Sequence, residues 1–261
     1  MVAVIDLRSD TAQRRKQRAE PTWTMHVFGI DGALGAAAVE LERAVFWEEY
    51  GNSVDLMKAE YEPYDDRSVF TGIVHTPTNE LVGLFRFITG PAGELKSVRD
   101  LRTQPEWCFD VMTSDHPHAA AMRTARLIDI ATLSVAPEWR TTMGGAASWL
   151  TIGMLPVASR LLRAESWVTV LDERVSRVLR RVCGFTIERV ADLPSVRYLD
   201  SPSSFAGFYD FSRFDEDFRT RIADVQAMVD WRFRSVTGGL GDLVIDVDSL
   251  SKRQELPQLI L

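Results

Sequence analysis

The sequence predicts an α/β (α+β) fold: a three-layer sandwich with a central mixed β-sheet flanked by helices, followed by a C-terminal helical extension. Strand and helix patterns alternate over residues 126–190, an order that calls for parallel strands joined by crossover helices. A hairpin pattern over residues 68–88 precedes them and makes the sheet mixed. The 261-residue chain is 46% apolar and 26% charged, a globular balance that supports a sizeable core. These features divide the chain into an N-terminal arm over residues 1–24, an α/β domain over residues 25–200 and the extension over residues 201–261.

Residues 1–24 are polar and Arg-rich and contain Pro21, so they carry no core of their own. Leu34, Ala38, Leu41 and Val45 recur at helical spacing, and Gly51 supplies a C-terminal stop. Residues 68–75 and 81–88, rich in β-branched and aromatic side chains, form two strands around a turn at 76–79. Gly90, Pro91 and Gly93 then break the chain, and residues 95–125 are read as short helices. Residues 126–135 form the strongest strand, buried on both faces over part of its length and ended by Pro137. Gly144 and Gly145 open a helix over residues 144–164, with a kink expected at Pro156. A strand over 166–171, a helix carrying Val175, Val178, Leu179 and Val182, and a strand over 185–190 complete the alternation. Beyond Pro202, a long amphipathic helix is marked by Phe218, Ile222, Val225, Val229, Phe233 and Val236. It packs on the core or on a second copy in a homodimer.

Composition removes several classes of function. The net charge of −7 and pI near 5.2 exclude nucleic acid as a partner, since that affinity rests on cationic contacts to phosphate. Two cysteines, Cys108 and Cys183, support neither a disulfide framework nor a tetrahedral metal site, and fit a reducing cytoplasm. No leader-like apolar region opens the chain and no apolar run reaches the ~20 residues of a membrane span, so no membrane role is expected. His75, His116 and His118 belong to turns, and no metal is expected.

The chemistry concentrates in two places. Glu60, Glu62 and Asp65 crowd around Pro63, on a stretch read as a loop because proline removes a backbone donor. Arg86 follows on the next hairpin strand. Carboxylates grouped beside an apolar strand need a cation, supplied either by Arg86 or by an amine substrate. The second place is the strand end at 133–135, which runs through Pro137 and Arg140 into the Gly-rich start of a helix. Glycine admits close backbone approach, and a helix N-terminus attracts phosphate.

The strand with Val135 and Pro137, then Arg140 and Gly144, Gly145 and Ala146, resembles the GNAT acyltransferases, as does the closing Gly184 and Phe185. That resemblance implies an acyl-CoA or acyl carrier protein donor, held by Arg140, Thr141, Met143, Gly144, Gly145 and Ala146. It also implies a donor carbonyl polarised by backbone amides of Leu133, Ser134 and Val135. Met143 stands where the family has glycine, and Arg180 stands where many members place a tyrosine general acid.

Over about residues 40–101 the likeness narrows. Arg43, Phe46 and Trp47, then Glu60, Glu62, Tyr64 and Asp65, then Gly83 with Arg86, then Asp100, resemble acyl-homoserine-lactone synthases and long-chain N-acyl amino acid synthases. The resemblance implies substrate-binding roles for Arg43, Phe46 and Trp47, and catalytic roles for Glu60, Glu62, Asp65 and Arg86. Glu62 and Asp65 would position the ammonium or order Arg43 and Arg86, and Glu60 would accept a proton through water. The alternative role for these groups is an ion-pair network tying the segment to the sheet. The implied activity is transfer of an acyl group from a thioester to a small-molecule amine. An acetyl-CoA-dependent N-acetyltransferase is the second reading, and a non-catalytic protein that binds a partner through its C-terminal helix is the third.

Overall fold

The computed structural model describes residues 23–141, 146–183, 186–211 and 243–245. Among the described residues nine strands form one mixed sheet: β1 (Trp23–Phe28), β2 (Ser68–His75), β3 (Glu80–Ile88), β4 (Leu127–Val135), β5 (Ser166–Asp172), β6 (Glu188–Arg189), β7 (Val196–Tyr198), β8 (Ser201–Asp210) and β9 (Leu243–Ile245). Their order is β6-β8-β5-β4-β3-β2-β1-β9, with β7 also on β8. The β4–β5 and β1–β9 pairs are parallel and the others antiparallel.

Helices cover both faces. The helices are α1 (Gly32–Tyr50), α2 (Val54–Tyr61), α3 (Lys96–Thr103), α4 (Pro117–Thr124), α5 (Ala146–Leu161) and α6 (Glu173–Cys183). One face carries α5 and α6 over a core that includes Val69, Phe85, Phe87, Ile130, Leu155 and Trp167. The opposite face carries α1 over Phe28, Phe70 and Leu84, and α3 and α4 over Ile88, Leu127, Val168 and Phe208. The three-layer arrangement is the one that the alternating pattern predicts. No helix of the described residues is long and apolar enough to cross a membrane.

Several local expectations change. Ser201–Asp210 is a strand whose residues Ser204–Asp210 pair with the whole of β5, so the sheet extends past residue 200 and the extension does not begin there. Glu60 lies in the last turn of α2, and a 3-10 turn over Glu62–Arg67 follows with Pro63 near its start. Proline fits there because the first amides of a helical turn have no intrahelical partner. Of the strand expected over 185–190, whose first residue lies outside the described residues, Glu188–Arg189 is β6, and within the helix expected over 144–164 α5 spans Ala146–Leu161. The predicted helix over 218–236 and residues 1–22 of the predicted arm lie outside the described residues, while Trp23 and Thr24, read as the end of that arm, open β1.

One irregularity organises the molecule. β4 and β5 pair from Leu127↔Ser166 to Asp129↔Val168 and no further, although β4 continues along β3 to Val135 and β5 along β8 to Asp172. A bulge opposite the Arg86/Phe87 step leaves Ala131 as an extra residue in β4, which bends that strand. Where the ladder stops, Thr169 Oγ1 donates to the carbonyl of Ile130 at 2.8 Å and satisfies an acceptor that β5 no longer reaches.

Candidate active site

A cavity of about 490 Å³ occupies the split between β4 and β5 and passes through the sheet. On the α5/α6 side its wall is apolar, with Phe85, Ile130, Ile152, Leu155, Trp167 and Leu179. On the other side it meets Phe46 and Tyr50 of α1, Tyr61 of α2, Lys96 and Ser97 of α3, and Tyr198. An apolar chain and a polar acceptor can therefore enter from opposite faces and meet in the plane of the sheet.

Backbone amides face that meeting point. The amide of Ala136 donates to Val82 on β3 at 2.9 Å, and strand groups alternate in direction with period two. Val135 and Leu133 are thus turned toward the split. Consistent with this, the Val135 carbonyl accepts from Arg140 Nε at 3.0 Å rather than from a strand. Leu133 and Val135 line the cavity, whereas Ser134 is buried away from it.

Two buried cations anchor the α1/α3 side. Arg86, 1% exposed, donates to Asp65 Oδ1 at 2.6 Å and lies 3.7 Å from Glu42 Oε2. Its guanidinium stacks over Phe70 and Tyr61. Glu42 is also buried and accepts from the hydroxyl of Thr132. Burial raises its pKa, with Arg86 and Thr132 offsetting part of the effect. The second cation, Lys96, is 3% exposed and meets Glu60 Oε2 at 2.9 Å, Asp100 Oδ2 at 2.8 Å and the Tyr198 hydroxyl. Burial pulls the Lys96 ammonium down, but Tyr198, Tyr61, Asp100 and Glu60 outweigh it and hold the pKa well above the usual lysine value. Burial likewise pushes the Tyr198 hydroxyl upward, and it donates to Asp100 at 2.5 Å.

The carboxylates singled out in the sequence are divided between these networks. Asp65 pairs with Arg86 and Glu60 with Lys96. Glu62 is 60% exposed, 3.8 Å from Lys58, and with Arg43 borders a separate cavity of about 60 Å³. Phe46 lines the large cavity, but Trp47, expected at the substrate, is 65% exposed, because the buried stripe of α1 is Gly35, Ala38, Glu42 and Val45. Arg140 lies at the cavity wall and pairs with Glu49 of α1. Thr141 is exposed; Met143, Gly144 and Gly145 lie outside the described residues, and Ala146 begins α5. Among the described residues no three His, Cys, Asp or Glu side chains gather as a metal-ligand set.

Sequence reading passed over Glu42, Lys96, Thr132 and Tyr198. Glu42 did leave a signal, since its helical spacing from Ala38 and Val45 puts a carboxylate on the apolar face of α1. Lys96 and Asp100 form an i,i+4 pair, also visible in sequence. Tyr198 joins them across 102 residues, a distance no local pattern reports.

No protein-family model matches the sequence, and no curated protein sequence matches it. Among solved structures, FeeM, an N-acyl amino acid synthase from uncultured soil microbes, is similar with a TM-score of 0.55 and 12% identity, covering 79% of this chain and 98% of that one. The AHL synthase LasI is similar with a TM-score of 0.51 and 16% identity, covering 73% of this chain and 90% of that one. The split sheet, the helices on its two faces and these two likenesses together establish the fold, a GNAT-like one that this chain shares with FeeM and LasI.

Proposed function

We propose that the protein is an N-acyltransferase that moves an acyl group from a thioester, carried by coenzyme A or an acyl carrier protein, to the amine of a small molecule such as an amino acid or a homoserine-lactone-like acceptor. The carrying observation is the cavity through the sheet, with an apolar wall on one side, polar groups on the other and the Leu133 and Val135 amides at its waist. Those amides are placed to donate to the thioester oxygen as negative charge develops on it. The amine attacks the carbonyl carbon directly, and the reaction needs no covalent enzyme intermediate. The pantetheine arm would run toward Arg140 and the segment leading into α5, whose N-terminus favours phosphate.

An apolar wall reaching Leu155, Trp167 and Leu179 favours an acyl chain longer than acetyl. Such donors are cytoplasmic metabolites, in keeping with the compartment expected from the cysteines. The test is thiol release from a series of acyl-CoA and acyl-carrier thioesters across a panel of amines, with the acylated product identified by mass spectrometry. Acylation of at least one amine, with preference for a medium or long chain, is the expected result. Failure of every pair would remove the proposal, and preference for acetyl-CoA would favour an ordinary N-acetyltransferase.

A further inference from the structure

We infer that Glu42 takes the proton from the acceptor amine, with the Thr132 hydroxyl as relay and the small cavity behind Glu42 as the exit to solvent. The inference rests on the acyl-transfer reading above. Thr132 lines the large cavity immediately after the Ala131 bulge and one residue before Leu133, whose amide faces the split. Its Oγ1 donates to Glu42 Oε1. Glu42 in turn lines the second cavity, of about 60 Å³, together with Arg43, Lys58 and Glu62. Lys58 and Glu62 are more than half exposed, so that cavity borders solvent, and its volume admits water. A single hydrogen-bonded pair, buried at both ends, thus bridges the large cavity and a route outward.

The surroundings suit a base. Glu42 faces Arg86 of β3, Asp65 of the 3-10 turn, Tyr61 of α2 and Arg43 of its own helix. Burial moves its pKa upward, which makes its carboxylate a stronger base than an exposed one. The other carboxylates near the split are committed differently. Glu60 and Asp100 hold Lys96, and Asp65 holds Arg86. Asp172 accepts from Ser201 at 2.7 Å; burial would raise it, but bonds from Ser201 and Arg174 outweigh this and lower its pKa, which makes it the weaker base.

An ammonium N–H proton passes to Thr132 Oγ1 while the Thr132 hydroxyl proton passes to Glu42 Oε1, leaving a neutral amine and a neutral carboxylic acid. The nitrogen lone pair then forms the C–N bond, the C–S bond breaks, and the second proton lost by nitrogen goes to the departing thiolate. Glu42 returns its proton to water in the small cavity. The sum is ammonium plus thioester giving amide, thiol and one released proton.

The experiment compares wild type with Glu42→Gln, Thr132→Val, Thr132→Ser and Asp172→Asn, using a strongly basic alkylamine and the weakly basic hydroxylamine, which is already neutral near pH 7. Glu42→Gln and Thr132→Val should each lose roughly 10²–10⁴-fold in kcat/KM with the alkylamine near neutral pH. Their rates should keep climbing with pH where wild type levels off, while Thr132→Ser and Asp172→Asn stay close to wild type. With hydroxylamine the four variants should differ little from wild type. Thr132→Val is nearly isosteric and keeps the test open if Glu42→Gln fails to fold. Equal losses with both amines, or an unchanged pH profile in Glu42→Gln and Thr132→Val, would overturn the relay and leave acyl transfer standing. A wild type inactive on every amine and donor would remove both.

Discussion

Asp129 shows how much a single buried charge can do in this protein. It sits on β4 at the last β4–β5 pair and receives both the amide and the hydroxyl of Ser97, at 2.5 and 2.7 Å. Burial nonetheless raises its pKa from 3.8 to about 7, with the Ser97 bonds offsetting only part. Because the folded state then binds a proton that the unfolded chain has already lost, this group's contribution is full below pH 4 and disappears as pH rises toward 7. About three pKa units correspond to roughly 4 kcal/mol. Urea unfolding of wild type should show stability falling across pH 4–7 from this source, and Asp129→Asn should flatten that slope. An identical slope in the variant would refute the assignment. Asp129 was not legible in sequence as a special residue, since its meaning depends on Ser97 approaching from another element.

Elements explain the glycine and arginine of the residue 83–86 segment separately. Val82 is the extra residue of a bulge opposite the Ile73/Val74 step; past it the faces of β3 alternate, so Gly83, Phe85 and Phe87 face the α5 layer while Leu84, Arg86 and Ile88 face α1 to α3. Arg86 is held by charges on α1 and the 3-10 turn. Gly83 is needed for packing: a Cβ there would lie 2.0 Å from Thr151 Oγ1 on α5, whose hydroxyl already donates to Ala147 at 2.7 Å. Gly83→Ala should therefore cost about 1–3 kcal/mol by overpacking. Thr151→Ala should recover part of that loss in a double-mutant cycle by chemical denaturation; strict additivity would show that the two residues do not press on each other. The hairpin, the first helix and the 166–183 strand and helix were readable from periodicity and breakers. α2 was hidden by its proximity to Pro63, and β8 by the assumption that the alternation ended near residue 190.

At the scale of the whole molecule, the split sheet turns two separate surfaces into one passage. Two strands that share their first three register pairs part where the Ala131 bulge bends β4, which continues along β3 while β5 continues along β8. The apolar end of the passage sets the acyl length in the proposed reaction. Leu155→Phe should fill part of that end, lowering kcat/KM for dodecanoyl thioesters about tenfold while sparing acetyl thioesters, since a methylene or two in an apolar pocket is worth roughly 1–3 kcal/mol. Parallel losses for both donors in steady-state assays would place the acyl chain elsewhere.

Sequence alone determined the layer order, the hairpin and the two regions of chemistry, because periodicity, breakers and local clusters of charge are properties of neighbouring residues. It also limited the meaning of Glu60, Glu62 and Asp65 to a need for cations. Only the tertiary structure decided which cations those are, Lys96 for Glu60 and Arg86 for Asp65, with Glu62 left near the surface. It likewise brought Glu42 to Thr132 across 90 residues. A buried charge is defined by what packs against it from other elements, and burial and partnership of that kind exist only after the sheet and its helices have closed around the site.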